Sequence, residues 1–285
     1  MKPLPPDRIA SCTLAQLRRR SGVPIEVVAD REALAVEFAG TILRRVRAAN
    51  KRKKRVVIIM PVGPTGQWRQ MAEIAAAEKI DLSRLFIISM DEYLTADASQ
   101  NVPPSDPFSF TRFITSHFAE KAVRECGFKK RNWVVPDPKD TGAVDRAIRR
   151  WGGVDMAFAG IGLNGHLAFN EPPAASECWT DESFARSPTR VVKLAETTKA
   201  TNSIFGTGGD LGRVPDFAVT IGMKEILGAR RVHVFLDWHW QRFLLRRTLL
   251  GPVSRSFPAS LLQTHKDVRF TITEEVATVH PLDPE

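Results

Sequence analysis

Short apolar runs recur along this chain, and longer amphipathic stretches separate them. The run Val56–Met60 is uninterrupted and rich in β-branched residues, which is typical of a strand buried on both faces. After Asp30, apolar residues recur at every fourth position: Leu34, Phe38, Ile42 and Val46. This spacing predicts a helix that Asp30 caps. Strands that alternate with helices predict a doubly wound α/β fold, with a mainly parallel sheet and helices on both faces.

Further apolar runs predict the other strands of this sheet. We expect them at 25–28, 85–90, 133–135, 155–159, 214–220, 231–236 and 268–272. The sequence contains no internal repeat and no linker long enough to divide it. We therefore predict one domain over residues 1–285, with residues 1–24 as an N-terminal extension at its periphery.

Composition excludes several classes of protein. With 43% hydrophobic and 26% charged residues, the chain is not intrinsically disordered. Its apolar runs fall short of the ~18–20 residues that span a bilayer. Cys12, Cys126 and Cys178 are far apart and form no CxxC pair, so we expect no disulfide framework. The first residues lack the apolar core of a signal peptide, and we expect a cytoplasmic protein.

The formal charge of +9 is concentrated in one segment. Between Arg44 and Arg55 there are eight basic residues and no acidic one. Cations are favoured at a helix C-terminus, so we interpret the segment as a solvated charge run. Attraction of an anionic substrate or of nucleic acid is the alternative. Because no aromatic residues accompany the segment, we do not predict a nucleic-acid partner.

Ligands of doubly wound sheets bind beyond the carboxyl ends of the strands. The first such segment is the loop Pro61–Gly66, which follows a predicted strand and opens a helix. A loop of this kind presents backbone N–H groups to an anion. A tight turn between a strand and a helix also needs Gly and Pro, so a purely structural role stays open here.

The second segment is Asp91-Glu92, at the end of another buried strand. Two adjacent carboxylates are costly to bury without partners. They either cap the next element or supply a general base.

The third segment, Gly160–Gly165, matches the pattern GxGxxG. A dinucleotide site requires a helix directly after it, and Pro172-Pro173 prevents a helix of normal length. What remains is a Gly-rich loop that carries His166 and Glu171. A neutral histidine can move a proton near pH 7, and a carboxylate can fix its tautomer.

Together these segments resemble the glucosamine-6-phosphate deaminase/isomerase family, which is related to 6-phosphogluconolactonases and, more distantly, to ribose-phosphate isomerases and CoA transferases. Met90-Asp91-Glu92-Tyr93 looks like the catalytic segment of that family. Residues 162–172, Gly-Leu-Asn-Gly-His-Leu-Ala-Phe-Asn-Glu-Pro, look like its central signature, and 257–265 are similar to its late segment. Lactonases carry Asp-Gly-His-Thr-Ala-Ser-Leu at the central signature, so the pattern favours a deaminase.

The resemblance implies a Rossmann-like fold and an isomerase/deaminase that needs no metal or organic cofactor. His166 would assist opening of the sugar ring, and Glu171 would orient His166. Asp91 would move a proton from C2 to C1, after which ammonia leaves. Asn164 occupies a position that is Asp or Asn in the family. The expected substrate contacts are Gly63, Pro64, Thr65, Gly66, Glu92, Gly162, Leu163, Gly165 and Arg242.

Departures from the family fall on the residues that would bind phosphate. The family turn Thr-Gly-Gly-Thr-Pro is here Val62–Gly66, a phosphate-binding Arg is replaced by Ile204, and a Lys is replaced by Gln241. Either Arg242, Lys199 or another basic residue takes over, or the substrate is not a 6-phosphosugar. Trp238 and Trp240 replace a smaller stretch; they would stack on a sugar or pack at a helix start.

Three hypotheses about the function follow. The first is an enzyme that converts glucosamine 6-phosphate, or a related amino sugar, to the ketose with release of ammonia. The alternatives are a lactone hydrolase and a non-catalytic sugar-binding homologue. The expected partner is a small sugar or sugar phosphate, with no membrane; homo-oligomer formation stays open, because the family includes monomers and larger assemblies.

Overall fold

The computed structural model describes residues 5–279. Its strands are β1 (Ile25–Val28), β2 (Val56–Met60), β3 (Leu85–Ser89), β4 (Asp91–Tyr93), β5 (Trp133–Val134), β6 (Met156–Ala159), β7 (Arg190–Lys193), β8 (Phe217–Thr220), β9 (Val232–Leu236) and β10 (Val268–Thr273). Its α-helices are α1 (Pro6–Ala10), α2 (Leu14–Ser21), α3 (Arg31–Lys51), α4 (Gly66–Ala77), α5 (Phe110–Ile114), α6 (Glu120–Cys126), α7 (Ala143–Trp151), α8 (Asp181–Ala185), α9 (Glu196–Gly206), α10 (Met223–Leu227), α11 (Gln241–Leu250) and α12 (Glu274–Ala277).

Seven strands form one sheet in the order β1-β10-β9-β6-β2-β3-β5. All of its neighbouring strands are parallel, as the sequence predicts. Successive residues of β2 point to opposite faces: Val57 and Ile59 pack in one core cluster, and Ile58 packs in the other. Helices therefore cover both faces, which confirms the doubly wound α/β fold.

A second sheet of three antiparallel strands, β4-β8-β7, was not expected from the sequence. The predicted strand at 214–220 contains β8 and belongs to this small sheet. β4 has only three residues, and Met90 alone separates it from β3. The apolar run therefore continues without a break from one sheet to the other, and the sequence does not mark where β3 ends. β7 alternates between half-buried and exposed residues, which gives it no long apolar run.

The helix pattern agrees in part with expectation. α3 begins where predicted, because the Asp30 carboxylate accepts the Ala33 N–H at 2.9 Å. The helical stretch over 110–126 is interrupted by a π-helical turn at Thr115–Ala119 that separates α5 from α6. Between residues 5 and 279, no helix combines the length and apolarity needed to cross a membrane.

The placement of residues 1–24 at the periphery is wrong for the part that the structure describes. Ile9, Cys12 and Leu17 are buried in the core cluster that lies on one face of the large sheet. Arg246 of α11 is 1% exposed and donates its Nε to the carbonyl of Cys12 at 2.7 Å. The segment therefore closes the core. The single domain over 1–285 remains our proposal; it is supported by a sheet whose strands extend from β1 to β10.

Candidate active site

A cavity of about 830 Å³ lies at the carboxyl ends of four adjacent strands, β9, β6, β2 and β3. The loop Pro61–Gly66 after β2, Asp91 after β3, the loop 160–163 after β6 and the segment 237–241 after β9 all line it. The three segments that the sequence singles out therefore meet in one place, because parallel strands present their carboxyl ends at one edge of a sheet.

Asp91 is the first residue of β4, where the chain leaves the large sheet. It is 7% exposed and lines the cavity. Its burial, and to a lesser extent the neighbouring Glu92, raise the pKa of its carboxyl to about 8. Among residues 5–279 no hydrogen bond to its side chain offsets this burial. Once ionised, the Asp91 carboxylate is a strong base for a group in the cavity.

Glu92 is directed away from the cavity. Its carboxylate accepts the backbone N–H groups of Phe110 at 2.8 Å and Thr111 at 2.7 Å, at the start of α5. Burial raises the pKa of Glu92, and these hydrogen bonds oppose the rise. Glu92 is therefore not placed at the cavity wall, where the predicted substrate contact would require it. Of the two alternatives for Asp91-Glu92, capping applies to Glu92, because a carboxylate is stabilised at a helix N-terminus.

His166 is held at its Nδ1 atom by three groups. Nδ1 lies 2.9 Å from Asn164 Oδ1, 3.2 Å from Glu171 Oε2 and 3.3 Å from Thr198 Oγ1. Carboxylate and amide oxygens are acceptors, so we assign the ring proton to Nδ1. His166 lines the cavity, and its Nε2 lone pair is then available for a proton from a ligand.

Glu171 remains ionised beside His166. Burial alone would raise the pKa of its carboxyl, but hydrogen bonds from His166, Asn164 and Thr198 bring that pKa below its ordinary value. Asn164 donates its Nδ2 to Glu171 Oε2 at 2.5 Å. The side chains of His166 and Glu171 are 13% and 10% exposed, so their interaction is shielded from water.

Glycines of the loop after β6 make room for this arrangement. At Gly162 a Cβ atom would come within 2.1 Å of the His166 ring. Gly165 has a φ of +87°, and a Cβ atom there would come within 2.3 Å of the Phe257 ring. Gly162 and Leu163 line the cavity, but Gly165 does not. Gly165 shapes the loop and packs on Phe257, away from the cavity wall where its predicted substrate contact would lie.

The loop after β2 is fixed by side chains of α4. Gln67 donates to the carbonyl of Val62 at 2.9 Å, and Trp68 donates to the carbonyl of Pro61 at 3.1 Å. Gly63, Pro64, Thr65 and Gly66 all line the cavity. The hydroxyl of Thr65 does not cap α4. Among residues 5–279, the first N–H groups of α4 therefore lack a side-chain partner at the cavity wall, as an anion site requires.

Neither basic residue proposed from the sequence reaches the cavity. Arg242 donates its Nε to the carbonyl of Glu275 at 2.9 Å and does not line the cavity, where the predicted substrate contact would require it. Lys199 is paired with Asp216. Both side chains point away from the cavity. Sequence proximity to site residues does not predict this direction.

Arg31 is the only Lys or Arg that lines this cavity among the described residues. Its Nε donates to the carbonyl of Asp237 at 3.3 Å and lies 3.6 Å from the Asp237 carboxylate. Its guanidinium carbon lies 3.2 Å from the ring centroid of Trp238. No sequence pattern singles out Arg31, because only the sheet order β1-β10-β9 brings the start of α3 beside the loop after β9.

Aromatic side chains form much of the wall near Arg31. Trp238 and Trp240 both line the cavity, and the rings of Trp238 and Phe205 are 4.3 Å apart. Gln241 forms hydrogen bonds within the protein, since its Oε1 accepts the N–H groups of Asp237 and Trp238 at 2.9 and 3.0 Å. Its Nε2 donates to the carbonyl of Ile161 at 3.0 Å. Gln241 thus joins the loops after β9 and β6.

The chain is similar to proteins named glucosamine-6-phosphate deaminase. It is 32% identical to the one from Halothermothrix orenii over 222 residues, which are 76% of this chain and 83% of that relative. It is 29% identical to the one from Rhodopirellula baltica over 265 residues, which are 90% of this chain and 96% of that relative. No protein-family model matches the chain.

Solved structures show the same fold. A monomeric glucosamine-6-phosphate deaminase aligns with a TM-score of 0.72 at 24% identity, covering 90% of this chain and 100% of that one. A 6-phosphogluconolactonase from Trypanosoma cruzi aligns with a TM-score of 0.65 at 18% identity, covering 90% of this chain and 96% of that one.

Proposed function

This chain belongs to the glucosamine-6-phosphate deaminase family, and from that premise we propose that it converts glucosamine 6-phosphate, or a related amino sugar, to the ketose with release of ammonia. One observation carries the proposal. A buried carboxyl whose pKa is raised to about 8, that of Asp91, and an imidazole fixed by an ionised carboxylate, that of His166, line the same cavity. The reaction needs two groups: a general base that removes a carbon-bound proton, and an acid–base group that transfers protons between oxygen atoms.

His166 acts first, on the closed sugar ring. Its Nε2 accepts the proton of the anomeric hydroxyl while the bond between C1 and the ring oxygen breaks. The same nitrogen then returns the proton to the ring oxygen, which leaves an open-chain aldehyde. Glu171 and Asn164 are positioning residues here: they hold Nδ1 and stabilise the imidazolium that forms between the two transfers.

Asp91 acts on the open chain. Its carboxylate removes the proton from C2, and the electron pair forms a C1=C2 double bond as O1 gains a proton that His166 Nε2 relays from solvent. The product is an enolamine. Asp91 returns its proton to C1, which gives a ketimine at C2, and addition of water releases ammonia and the ketose. Burial of Asp91 favours these steps, because a desolvated carboxylate accepts a proton readily.

The phosphate would bind at the end of the cavity formed by the loop 63–66 and Arg31. A buried dianion needs a cation or several N–H donors. Arg31 uses only its Nε within the described residues, which leaves both Nη groups for a phosphate. We propose that Arg31 takes over from the basic residues that the family resemblance places at Ile204 and Gln241. Gly162 and Leu163 would contact the sugar.

We further propose a cytoplasmic location, supported by Cys12, Cys126 and Cys178, which are free thiols.

Ammonia release from the purified protein tests the function. Glucosamine 6-phosphate and glucosamine are supplied separately, to the native protein and to the variant Asp91→Asn. We expect turnover of the phosphosugar, and a loss of roughly 10²–10⁴-fold in kcat in the variant with substrate binding retained. Turnover of free glucosamine alone would overturn the phosphate assignment and leave the deaminase chemistry. Binding without turnover in the native protein would identify a non-catalytic homologue, and hydrolysis of 6-phosphogluconolactone would identify a lactonase.

A further inference from the structure

A second cavity, of about 770 Å³, lies at the opposite edge of the large sheet. It is bordered by the amino ends of β1, β10, β9 and β6 and by the second half of α3. We call it the basic cavity. It shares no lining residue with the candidate active site.

Positive side chains from four elements surround the basic cavity. They are Arg18 of α2, Arg44 and Arg45 of α3, Arg231 just before β9 and Arg269 of β10. Two carboxylates, Glu26 and Glu37, also line it. The start of the basic segment Arg44–Arg55 therefore faces a cavity, although most of that segment is the solvated charge run that the sequence predicts.

Several of these arginines keep N–H groups for a ligand within residues 5–279. Arg269 uses only its Nε, 3.4 Å from Asp267. Arg45 uses its Nη2 for Asp155. Arg18 donates to the carbonyl of Ile25 and forms no ion pair among the described residues. A guanidinium with free Nη groups binds an oxyanion in a bidentate manner.

His233, which also lines the cavity, is neutral. It is 5% exposed, and its Nε2 lies 2.9 Å from Thr271 Oγ1. Burial, followed by the charges of Arg269, Arg231 and Arg44, lowers its pKa to about 3. The three arginines therefore lie close enough to His233 to act on its pKa, and Asp267, which pairs with Arg231, acts in the opposite direction.

We propose that the basic cavity binds a small phosphate-bearing metabolite. Its volume is that of a small-molecule site. Guanidinium groups arranged around a concavity match phosphate oxygens, and Glu26 can accept a hydroxyl group of the same ligand. Glu37 is paired with Arg44 and Thr41 and is therefore not an acceptor for the ligand. A nucleic acid fits less well. Within the described part of the chain, Phe270 is the one Phe, Tyr or Trp in the lining, and at 1% exposed it offers no ring face for a base to stack on.

Calorimetric titration with inorganic pyrophosphate at fixed ionic strength tests this proposal. The host is the Arg31→Gln variant, in which the proposed phosphate end of the active site is weakened. We expect one pyrophosphate per chain. Addition of Arg269→Gln should weaken binding roughly tenfold or more, since a hydrogen bond to a charged group is lost. Arg186→Gln is the matched control: that arginine is exposed, is paired with Glu182 and lines neither cavity.

Three results would overturn the proposal. One is no binding of pyrophosphate at millimolar concentration. Another is equal weakening by Arg269→Gln and Arg186→Gln. The third is tight binding of a single-stranded oligonucleotide that depends on Arg269 and that pyrophosphate does not displace. Thermal unfolding of both variants confirms that they are folded, and Arg44→Gln repeats the test at a second position in the cavity.

Discussion

The Nδ1 atom of His166 lies 3.2 Å from Oε2 of Glu171, and this pair is 13% and 10% exposed. The carboxylate fixes the ring proton on Nδ1 and leaves Nε2 free to act on a ligand. Replacement of this charge by an amide should therefore affect proton transfer more than binding.

In Glu171→Gln we expect kcat to fall about 10- to 100-fold, because a hydrogen bond to a charged group contributes ~1.5–3 kcal/mol. KM should change little. Steady-state ammonia release measures both constants. Glu182→Gln, at an exposed ion pair on α8, is the control and should retain full activity. An equal fall of kcat in both variants would contradict the positioning role.

Arg31→Gln should raise KM for glucosamine 6-phosphate by one to two decades, because the cavity loses its only Lys or Arg among the described residues. kcat should change much less, and Arg31→Lys should recover part of the affinity. Arg242→Gln is the matched control, since Arg242 contacts Glu275 outside the cavity. A KM within twofold of the native value in Arg31→Gln would place the phosphate elsewhere.

The raised pKa of Asp91 predicts a pH dependence. A base with a pKa of about 8 is mostly protonated at pH 6, so kcat/KM should rise about tenfold per pH unit toward pH 8 and then level off. A pH series from 6 to 9.5 with saturating coupling enzymes measures this rise. A flat profile over that range would contradict the role of Asp91 as the base.

The same shift predicts an effect on stability. The folded state keeps a proton on Asp91 up to about pH 8, whereas the unfolded chain loses it near the ordinary value of 3.8. Between these values the folded state binds more protons, so the free energy of unfolding falls as the pH rises. Asp91→Asn lacks this loss. The free energy of unfolding of Asp91→Asn, relative to that of the native protein, should therefore increase by a few kcal/mol between pH 5 and 8.5. The increase is at most ~1.4 kcal/mol per pH unit, and urea unfolding at each pH measures it.

Gly162→Ala should displace the His166 ring, because the added Cβ would come within 2.1 Å of it. We expect a loss of roughly 100-fold or more in kcat, since a misplacement of about 1 Å can have that effect. Gly160→Ala is the control in the same loop, where the nearest atoms to an added Cβ lie 3.9 Å away. Near-native activity of Gly162→Ala would show that the ring tolerates another position.

Local sequence pattern was sufficient for the large sheet and for the place of the site. The strand runs and the loops that follow them can be predicted from neighbouring residues, and so can the proximity of Asp91 and His166 once the strands are parallel. The direction in which a side chain points cannot be predicted from neighbouring residues. Glu92 caps α5, Gly165 packs on Phe257, and Arg242 contacts Glu275; each of these partners is distant in the sequence.

Arg31 is the opposite case: it lines the cavity, but the sequence offers no reason to expect it there. It stands alone after a helix cap, with no motif around it, and it reaches the cavity only because β1 and β9 both border β10. The buried face of residues 5–24 could not be predicted for a related reason: Leu17 and Cys12 pack on α11, more than two hundred residues later.

The hydrogen bonds of Gln241 also make its position hard to change. Its Oε1 is the acceptor for the N–H groups of Asp237 and Trp238, and a lysine at this position has no acceptor to offer them. A Gln241→Lys substitution would add a cation but would leave these two N–H donors unpaired and release the loop after β9. The position is thus constrained by its contacts: a cation at residue 241 would require neighbouring residues to change with it.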